Sequence, residues 1–491
     1  MANDHPTLAA FMEFRSTMAE KTAKSVAPAR RDGRGTGRRC ANAVVALATA
    51  VSVASMSVMP ASAQSIGFIR DAEIEDLLRD YTTPILKAAG VGASAVHIYL
   101  VGSTAFNAFV ADGRRIFVNS GVLMQAKTPN EVIGVLAHET GHIAGGHLAR
   151  MRQQLQNAQA ISILATLLGA AAMGAGAASG DFGSGAQAGN ALMLGGAQIA
   201  KRSLLSYQRS EEAAADRSAI NYLNATGQSA KGMLTTFAGL ADQSMLSAKY
   251  ADPYAVSHPM PRERVSALER VARESPYFDR NDPPELQRRH DLVRAKLSGY
   301  LEHPGTVARR YPKSDKSLAA NYARTVSQMR TGDYRAALAS ADGLIKAMPN
   351  NPYFWELKGD LLVKSGKPRE AIAPYQKAVA LAPNPGLIKV SLGGALVAAN
   401  DPALLNEGIK YLNGGLQEEP DFVTGYRHLA IAYGRAGRVP EAELATAQEH
   451  FKRGDYEMAQ RFAQRAKQGL KTGSPAWLRA DDILTYKPPR S

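Results

Sequence analysis

Apolar residues along this chain change period several times, and each change marks a new element. Ile74, Leu77, Leu78, Tyr81 and Ile85 keep one apolar face, which predicts a helix from Gln64 to about Gly90. The period then shortens. Val96 to Val101, Phe106 to Val110 and Ile116 to Val118 are brief runs of β-branched and aromatic residues, with the tight-turn pair Asp112-Gly113 between the last two, so a small sheet follows. Pro129-Asn130-Glu131 opens another helix, in which two histidines and a glutamate interrupt the apolar residues Val132, Ile133, Val135, Leu136 and Ile143.

From about Leu318 the pattern repeats. Gly332 and Gly366 lie 34 residues apart, as do Pro349 and Pro383, the period of a tetratricopeptide helix pair. With Pro352 as the first position, Trp355, Gly359, Ala371, Tyr375, Ala378 and Pro383 take the aromatic, glycine, alanine, aromatic, alanine and proline positions of that motif. Gly393 keeps the register and, after a three-residue slip, Leu429, Ala430, Tyr433 and Ala442 resume it, giving three to four repeats. One repeat cannot bury its apolar face alone, so the array stacks into a solenoid whose concave side is suited to a protein partner.

The N-terminus reads as an export signal. Arg30, Arg31, Arg34, Arg38 and Arg39 precede the uncharged run Ala41 to Met59, and Ala61-Ser62-Ala63 supplies small residues for cleavage before Gln64. The only cysteine, Cys40, precedes the apolar run, so the mature chain has no thiol for a lipid anchor or a disulfide. Residues 1–63 hold eight Lys/Arg and four Asp/Glu, which leaves +10 of the net +14 on the mature part, enough to favour an anionic membrane surface. The basic residues are scattered and accompany no recognition motif, which argues against nucleic acid.

The candidate chemistry sits in His138-Glu139-Thr140-Gly141-His142. Two imidazoles four residues apart share a helix face and can reach one ion, while Glu139, turned by about 100°, is placed to take a proton from water beside it. A catalytic zinc takes three protein ligands and keeps one position open. Glu212, in the helical stretch Glu211 to Asp216, is the candidate third ligand, with Asp216 one turn on to accept a hydrogen bond from a liganding imidazole. The alternative, a solvated acidic face opposite Arg209 and Arg217, is the weaker reading downstream of the histidine pair. His147 falls one residue short of the spacing of the third metzincin histidine, so it is not taken as a ligand.

Together, His138-Glu139-x-Gly141-His142, His147 and Arg209-x-x-Glu212-x-x-Ala215-Asp216 resemble the HtpX and CAAX-prenyl-protease family of gluzincins, as do Asn107-Ala108-Phe109 and Ser257-His258-Pro259 with Arg264. The signal before and the repeats after resemble that family's periplasmic, repeat-containing branch, which maintains outer-membrane β-barrel proteins. The resemblance implies His138, His142 and Glu212 as ligands of one Zn2+, Glu139 as base, His258 and Arg264 facing the reacting carbonyl, and His258 as a group able to cap the zinc when substrate is absent.

The expected fold is α+β: a mostly helical zincin-type metallopeptidase domain with a small sheet (64–275), linker helices (276–317), an all-α repeat solenoid (318–470) and a tail (471–491). Between Arg152 and Asp181, and again between Asp181 and Lys201, no residue is charged, and Ala and Gly dominate. Length permits a membrane hairpin, but Gln154, Gln156, Asn157, Gln159, Asn190 and Gln198 dilute the segment. Residues 158–200 are therefore read as buried or surface-lying helices that form an active-site flap, with membrane-associated helices as the alternative. The expected activity is zinc-dependent hydrolysis of unfolded or misassembled envelope proteins in the periplasm, with a substrate strand added at the sheet edge near Ile116 to Asn119. The rival is a chaperone or scaffold with a latched zinc site.

Overall fold

The computed structural model describes residues 67–179, 182–246, Tyr254 and 257–488. The expected export signal, with its cleavage point near Ala63-Gln64, lies outside these residues. The first predicted helix forms as Ala72–Ala88. It starts later than Gln64 because Asp71 caps it, its carboxylate accepting from the backbone N–H of Glu73 and Ile74. Just upstream, Phe68–Ile69 pairs as a short strand, β1.

The three predicted strands are β2 (His97–Val101), β3 (Ala108–Ala111) and β4 (Arg115–Asn119). Asp112 and Gly113 take φ of 53° and 76°, left-handed conformations in the tight turn 112–114 that joins the paired Ala111 and Arg115. The sheet order is β1-β2-β4-β3, with β2 parallel to β4 and the other pairs antiparallel. This order corrects the expected site of strand addition: Ile116 to Asn119 lies inside the sheet, bonded to β2 on one side and β3 on the other. Among the described residues, the longer edge strand without a second partner is β3. On β4, Ile116 and Val118 are fully buried beneath the helices. On the opposite face Phe117 stacks between Tyr99 and Phe109, at 5.3 and 5.0 Å.

The motif helix, Pro129–Gly145, is bounded by local chemistry. Thr128 caps its start, Pro129 fits the first turn, and Gly146 ends it at φ 64°. Its apolar residues Val132, Ile133, Val135 and Leu136 join one core with Leu77, Tyr81, Ile116, Leu223 and Phe237. Beyond the glycine run two long helices, His147–Ser179 and Phe182–Ala225. Over their outer parts they meet through small residues, and Ile163, Leu164, Leu167, Leu168, Leu194 and Ile199 are exposed. A buried pair is therefore not what residues 158–200 form.

The repeats fold as helix pairs Leu318–Arg330 with Tyr334–Ala347, Pro352–Lys364 with Pro368–Leu381, Gly386–Ala398 with Leu405–Glu418, and Val423–Arg435 with Val439–Lys452. A further pair, Tyr456–Gly469 and Pro475–Thr485, extends into the stretch read as a tail, with Ala480 and Ile483 buried. At Gly359 a Cβ would meet the Tyr375 ring at 2.6 Å, the close approach for which the motif needs glycine.

Several of these helices rest on the start of the peptidase part. Ala72 packs with Tyr353, Leu387 and Ile388, Tyr353 donates to Asp76 at 3.0 Å, and Arg70 pairs with Glu419. Lys296, on the linker helix Pro284–Leu301, is buried between Asp71 at 2.7 Å and Glu73 at 3.1 Å. Tyr322 of the first repeat donates to Glu73 at 2.7 Å.

Candidate metal centre

The motif helix and the helix carrying Glu212 touch at Gly141, where a Cβ would stand 2.8 Å from the Ala215 carbonyl oxygen. Only a hydrogen at that position lets the two backbones approach so closely, and the approach brings His138, His142 and Glu212 to one point. His258 enters from the segment before Arg262–Arg273. One ligand-capable atom from each of His138, His142, Glu212 and His258 lies within 4.8 Å of all the others.

The tautomers follow from the partners. His147 Nε2 is 2.9 Å from Glu211 and must donate to it, so its Nδ1, 2.9 Å from His142 Nδ1, must accept. His138 Nδ1 faces Asp216 at 3.0 Å. In the neutral rings both Nε2 atoms therefore carry lone pairs, and these two atoms are 3.0 Å apart, with Glu212 oxygens 3.3 and 3.4 Å away. Lone pairs and a carboxylate converging in this way call for a cation between them, and two imidazoles with one carboxylate form a donor set that suits a catalytic metal.

Electrostatics point the same way. Burial opposes charge on His138, but Asp216 and Glu212 outweigh it and raise its pKa to about 9, so the site favours positive charge at that spot. Burial also opposes ionisation of Glu212, yet His138 and His258 pull it well below the carboxylate range. Glu139 differs: burial raises its pKa, only partly offset by His258 and His138. Tyr254 donates to its Oε1 at 3.2 Å, while Oε2 is buried with no hydrogen-bond partner among the described residues.

His258 Nδ1 is 3.0 Å from Glu212 Oε1 and 3.3 Å from His138 Nε2, inside the ligand cluster. Arg264 grips Asp216 with Nε at 2.6 Å and Nη2 at 2.7 Å, and reaches Glu212 with Nη1 at 2.9 Å. Its guanidinium is thus held by two carboxylates of the cluster. Asn107-Ala108-Phe109 falls at the start of β3. Sequence reasoning passed over His147, because it looked only for a metal ligand and His147 touches a ligand instead. Tyr254 had no signal; it is joined to His258, whose N–H donates to the Tyr254 carbonyl at 2.8 Å.

A mostly helical domain with a small sheet, in which two histidines of one helix and a glutamate of another converge next to a buried glutamate, has the architecture of a metalloprotease. Comparison with known proteins agrees. Residues 70–272 match Peptidase family M48 and residues 322–385 match the tetratricopeptide repeat, so the chain carries an M48 metalloprotease domain joined to repeats. The relatives extend through both parts. The beta-barrel assembly-enhancing protease of Escherichia coli O157:H7 is 24% identical over 429 residues, 85% of this chain and 83% of that one. The protein of the same name from Yersinia pestis is 25% identical over 390 residues, 76% of each chain.

Proposed function

We propose that this protein is a zinc-dependent endopeptidase of the periplasm that hydrolyses misfolded or stalled proteins during outer-membrane protein assembly, with its repeats recruiting client or partner. One observation carries the reading: two imidazole lone pairs and the Glu212 carboxylate converge beside Glu139, whose Oε2 is buried without a partner among the described residues. The names of the relatives support the assembly role, and the basic, apolar and small-residue order of residues 30–63 supports export.

His138, His142 and Glu212 would hold the zinc, which when bound supplies Lewis acidity toward the scissile carbonyl and the attacking water. Glu139, its proton affinity raised by burial, takes the proton from that water and later delivers it to the leaving amine. Arg264 is a positioning residue that fixes Asp216 and Glu212. An extended substrate pairs with the free edge of β3, where backbone bonds hold it without demanding one sequence. His258 occupies the fourth place of the cluster, so it acts as a latch that must leave before water and substrate can enter.

The test combines metal analysis with degradation of casein or a misfolded porin. Wild type is expected to hold one zinc per chain and to cleave, and Glu139→Gln to keep the zinc while losing cleavage about 100- to 10,000-fold. A Glu139→Gln protein that cleaves as well as wild type would sink the mechanism. The same latch position favours a second reading, a scaffold with a shut site. In that case Glu139→Gln leaves function in cells intact and His258→Ala releases no activity.

A further inference from the structure

The helical hairpin formed by His147–Ser179 and Phe182–Ala225 is built inside out. A water-soluble hairpin buries its large apolar side chains in the seam and turns small or charged ones outward. Here the two backbones meet at small residues, over which Met173 and Met193 fold. A Cβ on Gly189 would stand 2.5 Å from the Gly169 carbonyl oxygen, one on Gly185 would stand 2.6 Å from Gly176 Cα, and one on Gly196 would stand 2.1 Å from the Ala165 methyl. The outward faces carry Ile163, Leu164, Leu167 and Leu168 on one helix and Leu194 and Ile199 on the other, between 51% and 69% exposed. Close backbone contact through Gly and Ala, with Leu and Ile outside, is how helices pair in a medium as apolar as their own side chains.

Length and charge set the depth. Gly196 meets Ala165, so Lys201 and Arg202 stand about a turn further from the hairpin tip than that contact, beyond which neither helix has a charged residue up to Asp181. From the level of Lys201 outward, the first helix has some 20 residues, or about 30 Å at 1.5 Å per residue, close to the hydrocarbon thickness of a bilayer. Arg152, Lys201 and Arg202 are exposed near the base, where anionic headgroups would meet them, while Arg150 is held by Glu211 at 2.6 Å. The neutral amides Gln187, Asn190 and Gln198 lie on the second helix, so its partner presents the more apolar face.

We propose that this hairpin is inserted into a lipid bilayer, with the basic residues at its base seated among anionic headgroups. The proposal stands apart from the peptidase reading, since it uses no residue of the metal centre. Its test is flotation of the full chain with vesicles of phosphatidylcholine and phosphatidylglycerol. The protein is expected to float, to stay bound when 1 M NaCl is added afterwards, and to lose at least tenfold in bound fraction in the double variant Leu164→Asp, Leu167→Asp. Both sites are exposed, so thermal stability and casein cleavage should match wild type. In a Leu167→Trp variant, brominated acyl chains are expected to quench the added fluorescence. Release by salt, or flotation unchanged by the aspartates, would overturn the proposal. So would aspartates that abolish binding of unfolded casein, or self-association without lipid, when vesicle binding is absent; the apolar faces would then belong to a client or a second copy.

Discussion

His147 bonds Glu211 through Nε2 and His142 through Nδ1, so it decides which nitrogen of His142 is free to bind a metal. Replacing it with alanine removes that control without removing a ligand. We expect His147→Ala to weaken metal binding about 10- to 100-fold, measured by competition with a chelator. An unchanged affinity would show that the helix alone orients His142. His290 shows the opposite case, a histidine kept neutral. It is fully buried, its Nε2 donating to the Ala126 carbonyl at 3.1 Å and its Nδ1 accepting from Tyr81 at 3.0 Å. Burial lowers its pKa from 6.5 to about 4, so between those values the unfolded chain takes up a proton that the native protein does not. This contribution is complete above pH 6.5 and falls with pH through that window, by about 3 kcal/mol in all. Urea unfolding of wild type and His290→Gln at pH 7 and pH 4.5 should show wild type losing the more stability on acidification.

Among the elements, the motif helix depends on its neighbour at a single glycine. A methyl at position 141 would press on the backbone of Ala215, which cannot rotate away as a side chain could. Gly141→Ala is expected to cost about 1–3 kcal/mol and to displace Glu212 from the histidines. Thermal melting and zinc content should therefore fall together. A variant with a lower melting temperature and full zinc would mean that the two helices can separate without disturbing the cluster.

Across the whole molecule, the peptidase part and the repeats meet over a buried ion cluster. Burial opposes the charge on Lys296, but Asp71 and Glu73 outweigh it and raise its pKa well above the usual lysine range. Removing the ammonium leaves the buried Glu73 and the partly buried Asp71 without their cation. Lys296→Met is expected to lower stability by about 3–5 kcal/mol in urea unfolding. Because Tyr322 of the first repeat also holds Glu73, limited proteolysis should then cut between residues 301 and 318 sooner than in wild type. Equal cleavage rates would show that the apolar contacts of Ala72, Tyr353 and Leu387 hold the junction alone.

Local sequence determined much of this protein. The period of apolar residues, Asp112-Gly113, Thr128-Pro129 and the 34-residue spacing each act within a few turns of chain, so their helices, hairpin and repeats could be read before any packing was known. The pairing of His138 with His142 was legible for the same reason, since one helix turn fixes it. What the sequence could not carry was anything settled between distant segments. That β4 lies inside the sheet depends on β2 pairing with it across the hairpin. That His258 stands among the ligands and that Arg264 grips Asp216 depend on packing by a segment more than forty residues after Glu212. The long Ala/Gly stretch gave its length to the sequence reading, but which side of each helix faces its partner is set only when the two glycine seams meet. Short-range order follows from the residues themselves, whereas contact order across the chain follows from which surfaces bury together.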